Sequence, residues 1–165
     1  MTRFVFCLFL SIIFLTGCGE RAEEEKIEKA TGTKADVDLS NKKMKITGDT
    51  ENGRYTITAG EETEIPSDFP DDVFIYRPSK VLMAMKVPEG YSLTLTSSDD
   101  RSKILDTYKQ KMDAKGWTEE TSMIMGPQSM LVYRKNGRTA SISVITSEKA
   151  LQINLVVTTK QDKGK

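Results

Sequence analysis

Methionines at alternate positions are the side chains of this sequence whose spacing comes nearest to a metal site. Met83 and Met85 form one Met-x-Met pair, and Met123 and Met125 form another. Residues two apart on a strand share a face about 7 Å apart, so two thioethers could converge on a soft ion such as Cu(I) or Ag(I). Methionine is also an adaptable filler of hydrophobic cores, and both pairs fall in alternating apolar runs. We favour core packing and keep soft-metal binding as the alternative.

The residues on which most enzymes and metal centres depend are missing. The chain has 165 residues, no histidine and two cysteines, Cys7 and Cys18. A domain formed by the residues after Cys18 therefore contains no thiol, which excludes disulfides, zinc–thiolate sites and cysteine nucleophiles, and the absence of histidine excludes an imidazole base. Asp68, Asp71 and Asp72 lie close together, but their spacing does not match a calcium-binding loop. We expect neither catalysis nor a cofactor.

Hydroxyl and amide side chains alternate with apolar residues in three later segments. They line the polar face of each predicted strand: Ser92, Thr94, Thr96, Ser141, Ser143, Gln152 and Asn154. Rows of such groups can hydrogen-bond a glycan or a polypeptide, and an antiparallel edge can accept an added strand. A plain solvated face has the same pattern and is the interpretation we favour. The seven residues are kept as a possible binding face.

The N-terminal segment has the features of an export signal. Arg3 precedes an apolar run, Phe4 to Leu15, which at about 1.5 Å per residue is too short to span a bilayer about 30 Å thick. The following Leu15-Thr16-Gly17-Cys18 resembles the lipobox of bacterial lipoproteins. That resemblance implies cleavage before Cys18, a diacylglycerol on its sulfur and usually an amide-linked acyl chain such as palmitate. Two or three acyl chains anchor a protein firmly, whereas one is marginal.

The resemblance also implies a location. Gly19 is not the aspartate that commonly retains such lipoproteins in the inner membrane. In a Gram-negative cell we therefore expect the periplasmic face of the outer membrane, and in a Gram-positive cell the outer face of the plasma membrane. Removal of Arg3 with the signal peptide leaves 23 basic against 24 acidic residues, so no basic field is available to bind nucleic acid.

Short-range patterns predict mostly strands. Asn52-Gly53 between two alternating runs predicts a hairpin, and pairing Glu51 with Arg54 would place Ile46 and Ile57 on one face. Pro66 and Pro70 predict an extended connector that leads to a short strand over Val73–Tyr76. The alternation over Lys80–Val87 places four residues on one face: Val81, Met83, Met85 and Val87. Later strands are predicted at 91–96, 117–125, 129–134, 138–146 and 151–158.

One helix is predicted over the segment that follows Ser97 and Ser98. Either serine would be its N-cap, and Gly116 suits the left-handed position after its C-terminus. Trp117 would fold back onto the last turn. Four residues at helical spacing form a single apolar stripe: Ile104, Leu105, Tyr108 and Met112.

These elements predict an α+β fold, in which an N-terminal β-hairpin precedes an antiparallel sheet packed on one face by the single helix. The predicted segments are a signal peptide (1–17), a lipidated cysteine and flexible tether (18–35), the hairpin (36–62), the core domain (63–160) and a disordered tail (161–165). The chain is similar to uncharacterised small envelope lipoproteins in its lipobox, its connector Pro66–Asp72 and the end of its helix. We expect a non-catalytic binding or scaffolding module, anchored in the membrane at Cys18, with an envelope protein or glycan as partner.

Overall fold

The computed structural model describes residues 34–38, 42–60, 63–146 and 150–159. Within these residues the chain forms one antiparallel sheet of nine strands and one helix, α1 (Arg101–Ala114). The strands are β1 (Lys34–Asp38), β2 (Lys43–Thr50), β3 (Gly53–Gly60), β4 (Lys80–Val87), β5 (Gly90–Ser97), β6 (Thr118–Met125), β7 (Gln128–Lys135), β8 (Arg138–Thr146) and β9 (Leu151–Thr158). Their order across the sheet is β1-β2-β3-β4-β5-β9-β8-β7-β6, so β5 is the central strand and β9 lies beside it, between β5 and β8.

The predicted hairpin is present as β2 and β3, with a register that differs by two residues. Arg54 pairs with Asp49 rather than with Glu51, and the two side chains form an ion pair at 3.1 Å. Side chains alternate with a period of two, so a shift of two residues leaves each one on its predicted face. Ile46 and Ile57 therefore oppose each other, and the predicted sharing of a face is confirmed.

A bulge in β4 changes the predicted faces of that strand. Val81 and Met83 oppose neighbouring residues of β5, which makes Leu82 the extra residue. Two residues then oppose one, and the alternation inverts. Val81 packs against the core, whereas Met83, Met85 and Val87 lie on the other face. The prediction that these four residues share one face is wrong.

The helix begins after Asp100, and the predicted serine caps are wrong. No side-chain hydrogen bond caps its first turn; the Ser97 hydroxyl instead donates to the Pro78 carbonyl at 3.0 Å. The serine therefore joins the connector to β5 and does not satisfy the free N–H groups of the helix. The predicted apolar stripe is confirmed by its burial: Ile104, Leu105, Tyr108 and Met112.

The C-terminus of α1 follows the prediction. Gly116 has a φ of +76°, and its N–H donates to the Asp113 carbonyl at 2.8 Å. The Trp117 N–H donates to the Met112 carbonyl at 3.0 Å, which completes a Schellman motif. Trp117 is buried, so the chain turns back directly from the helix into the core.

Two elements cover one face of the sheet, here called the covered face: α1 and the connector, residues 63–79. The connector contains no strand, so the strand predicted over Val73–Tyr76 is wrong, although both named residues are in the core. The covered face supplies the core residues of the strands: Ala84, Tyr91, Leu93, Leu95, Leu131, Tyr133, Ala140, Ile142, Val144, Leu151, Ile153, Leu155 and Val157. We call the opposite face of the sheet the open face.

The predicted architecture of a separate hairpin and a helix-covered sheet is wrong. Residues 56–59 of β3 pair with 83–86 of β4, so the hairpin belongs to the same sheet, and β1 extends it by one more strand. Nine strands spaced about 4.8 Å apart extend over about 38 Å, whereas a helix is only about 10–12 Å wide. One helix therefore covers only part of the sheet, and the connector completes the core over the rest. Strands dominate the fold.

Candidate functional site

The seven polar residues predicted as a possible binding face lie together on the open face. They come from three adjacent strands, β5, β9 and β8. Asn154 at the centre opposes Thr94 on one side and Ser143 on the other. We call this set the polar band: Ser92, Thr94, Thr96, Ser141, Ser143, Gln152 and Asn154.

Part of the hydrogen-bonding capacity of the polar band is used within it. The Thr94 hydroxyl and the Gln152 amide both donate to Asn154 Oδ1, at 3.2 and 3.1 Å. The Gln128 amide donates to the Ser143 hydroxyl at 2.9 Å. A ligand would have to compete with these bonds. The band therefore remains a prediction, and a concave site elsewhere is better suited to binding.

The two Met-x-Met pairs do not converge on one site. Met83 and Met85 lie on β4 and Met123 and Met125 on β6, five strand spacings away, or about 24 Å along the sheet. Their interpretation as core residues is also wrong: all four lie on the open face or project from its edge. Only Met123 has a methionine directly opposite, Met130 of β7. Of the two pairs, only the one on β6 keeps the soft-metal alternative, at the sheet edge where Met123 faces Met130.

A cleft of about 470 Å³ lies on the covered side, between the connector and strands β2, β3 and β4. We call it the connector cleft. It is in the part of the sheet that α1 does not reach. Its lining combines ammonium, hydroxyl and carboxylate groups with a few apolar side chains: Lys43, Lys45, Thr56, Thr58, Glu64, Ile65, Pro66, Ser67, Asp68, Ala84 and Lys86.

Asp68 and Lys86 join the two walls of the connector cleft. The Lys86 ammonium donates to the Asp68 carboxylate, and this hydrogen bond lowers the Asp68 pKa and raises the Lys86 pKa. The Tyr91 hydroxyl donates to the Asp68 carbonyl at 3.0 Å, and burial raises the Tyr91 pKa. Phe69 packs edge-on against the Tyr91 ring at 5.4 Å between centroids. These contacts hold the connector at a fixed distance from β4.

The other end of the connector is held by Asp72. Arg138 donates twice to its carboxylate, with one bond at 3.0 Å, and the Lys135 ammonium lies 2.8 Å away. The Arg138 hydrogen bond is the main reason why the Asp72 pKa falls to about 2. Trp117 Nε1 donates to the Asp72 carbonyl at 2.7 Å, and the Arg138 guanidinium stands 5.0 Å from the Trp117 ring centroid. Asp72 thus anchors the connector to β7, β8 and Trp117, a role that the sequence analysis did not predict.

The connector cleft was not predicted from the sequence. Its strand residues occupy the polar positions of alternating runs, which look the same as a solvated face. Lys45 and Thr58 directly oppose each other, on the side away from Ile46 and Ile57. The missing information was the path of the connector, which turns a polar face into one wall of a cleft. Pro66 and Pro70 were the one sequence signal that the chain is extended through the connector.

Several predictions lie outside the described residues: the signal peptide, Cys18, most of the tether and the tail. Within the described part of the chain, no helix has the length and apolar character to cross a bilayer. In the same residues, no three or more Asp, Glu, His or Cys side chains come together as possible metal ligands.

A family model described as START domain-like matches residues 81–162. The match covers slightly less than half of the 165 residues and runs from β4 to the end of β9, including α1. START-like domains are ligand-binding, non-catalytic modules, and the match confirms the prediction that the protein is not an enzyme. No curated protein and no solved structure is significantly similar to the chain.

Proposed function

We propose that the protein is a non-catalytic ligand-binding lipoprotein of the bacterial cell envelope, and that the connector cleft holds its ligand. The observation that carries this proposal is the cleft itself. Its volume of about 470 Å³ falls within the range of about 300–1,000 Å³ that small-molecule sites occupy. The START-like match to residues 81–162, which include Ala84 and Lys86 of the cleft wall, supports ligand binding.

The lining indicates the chemistry of the ligand. Three ammonium groups face two carboxylates, from Glu64 and Asp68, so the cleft has a small excess of positive charge. Threonine and serine hydroxyls supply further hydrogen-bonding groups, and Ile65, Pro66 and Ala84 supply apolar contact area. An anionic sugar or a short anionic glycan fragment combines negative charge, hydroxyls and a partly apolar ring in this way. Such a ligand also suits a protein of the cell envelope.

Attachment to the membrane is proposed through acyl chains on Cys18. The protein would then stand on the periplasmic face of the outer membrane in a Gram-negative host, or outside the plasma membrane in a Gram-positive one. Intact-mass measurement on protein extracted from native membranes should show a chain that begins at Cys18 and carries two or three acyl groups. The Cys18→Ser variant should be recovered without acyl groups. Detection of unmodified wild-type chain, still carrying residues 1–17, would contradict the proposal.

Ligand binding is tested by native mass spectrometry of the protein purified from its own host. We expect an added mass that is released on denaturation. The Lys45→Ala variant should lose it because an ammonium group of the cleft wall is removed. The Lys111→Ala variant, altered on the exposed side of α1, should retain it. Equal retention by both variants would exclude the connector cleft as the site.

A further inference from the structure

Three consecutive apolar residues are exposed at the end of β6. Ile124 is 70% exposed, Met125 51% and Met123 38%, and together they form most of the exposed large hydrophobic residues among those described. They precede the Gly126-Pro127 turn that leads into β7. We call residues 123–127 the apolar tip. A monomeric protein rarely leaves such a cluster in water without a partner.

The apolar tip is apolar on both of its sides. Ile124 opposes Ser129, which belongs to the covered face, whereas Met123 opposes Met130 on the open face. An interface with another protein normally covers one side of a strand or uses its backbone edge. A hairpin end with apolar side chains on both sides needs surroundings that are apolar in every lateral direction. A lipid bilayer provides them.

The charges around the tip fit the same partner. The thirteen residues from Thr121 to Tyr133 include no charged side chain. Next to the turn, however, the Arg101 guanidinium donates to the Gly126 carbonyl at 2.8 Å. A cation placed beside an apolar tip can meet a lipid phosphate when the tip lies among the acyl chains. Two acidic residues lie beside Arg101: Asp99, whose carboxylate is paired with Lys103 at 2.8 Å, and the exposed Asp100.

We propose that the apolar tip inserts into the outer part of the lipid bilayer to which the protein is anchored. This inference rests on the proposed function, because the anchor keeps the tip close to a membrane. Three strand residues extend over about 10 Å, which matches the depth of about 5–10 Å reached by interfacial segments. β1 and β6 lie at opposite edges of the sheet, about 38 Å apart, and the sixteen residues 18–33 can span up to about 55 Å, so an anchor at Cys18 is compatible with a tip at the membrane.

The chain offers a clean fluorescence test because it has a single tryptophan, Trp117, which is only 2% exposed. The full chain, purified from membranes, is reconstituted into vesicles of phosphatidylethanolamine and phosphatidylglycerol with brominated acyl chains. The Ile124→Trp variant should show a blue-shifted emission and several-fold more bromolipid quenching than the wild type. The matched control is Gln110→Trp, an exposed neutral position on α1, which should be quenched no more than the wild type.

The intact mass of the same preparation reports acylation separately. Quenching at position 124 without acylation would support the tip and contradict the anchor. Full acylation without quenching would overturn the tip and leave the anchor standing. Equal quenching at positions 110 and 124 would also overturn the inference, because it would show only that tryptophan itself prefers the bilayer.

Discussion

Replacing Asp72 by asparagine should weaken the attachment of the connector to the rest of the domain. The variant keeps the shape of the side chain but removes the negative charge that Arg138 and Lys135 share. Both cations are mostly buried, so they would remain without their counter-charge in a partly dry environment. We expect the variant to fold and to be less stable at neutral pH.

The magnitude follows from the pKa of Asp72. Its fall from the ordinary value of 3.8 to about 2 corresponds, at about 1.36 kcal/mol per pH unit, to roughly 2.4 kcal/mol of stabilisation at neutral pH. Solvent reaches about 30% of the side chain, so the expected loss for Asp72→Asn is nearer about 2 kcal/mol. A depressed pKa stabilises the folded state above the unfolded pKa, near 4. This stabilisation is lost as the pH falls through about 2.

Urea unfolding of wild type and variant at a series of pH values measures this difference. The gap in unfolding free energy should be about 2 kcal/mol at pH 7 and should close between about pH 4 and pH 2. Asp71→Asn is the matched control, because the Asp71 side chain is exposed and makes no salt bridge within the described residues. A gap that stays constant down to pH 2 would refute an electrostatic role for Asp72, and a gap below about 0.5 kcal/mol would refute any substantial role.

Two further matched pairs test the packing. Met112→Ala should lower the free energy of unfolding by about 2–5 kcal/mol because the Met112 side chain is fully buried, whereas Met125→Ala should lower it by under about 0.5 kcal/mol. Urea unfolding measures both values, and similar losses for the two variants would contradict the burial assigned to them. Gly90→Ala should destabilise by about 3 kcal/mol or more, since a Cβ there would lie 1.9 Å from the Val157 carbonyl oxygen. Gly126→Ala meets nothing within 4 Å and should lose only about 1 kcal/mol to its left-handed backbone; thermal unfolding of both variants checks the order.

The alternation of apolar and polar residues was enough to predict which way most strands face. It worked for Leu93 and Leu95 in β5 and for Ile153 and Leu155 in β9, all of which are fully buried. It also survived the register shift of the first hairpin. The reason is that burial of one face acts on every second residue, so the signal is repeated several times within each strand.

Features that depend on one residue or on distant partners were not predictable in this way. The bulge at Leu82 is a single insertion that inverts a face, and nothing in the alternating run around it marks the position. The hairpin joins the larger sheet because β3 pairs with β4, and the whole connector separates these two strands in the sequence. Ser97 was a good helix cap by residue type, yet its hydroxyl oxygen accepts from the Asp99 N–H, which precedes the helix, and its hydrogen is donated to the Pro78 carbonyl. The connector cleft required both the path of the chain and the faces of three strands.

The position of β9 makes completion of the sheet depend on the strand that is synthesised last among the nine. β9 joins the two parts of the sheet: Leu155 pairs with Leu93 of β5 on one side and with Ile142 of β8 on the other. A product that ended before Leu151 would leave β5 and β8 with bare hydrogen-bonding edges, which invite aggregation. Trimming at the outer strands β1 or β6 would leave the centre intact. Proteolytic loss of β9 should therefore destroy the domain, and a ribosome-bound chain cannot close its sheet until β9 has left the ribosome.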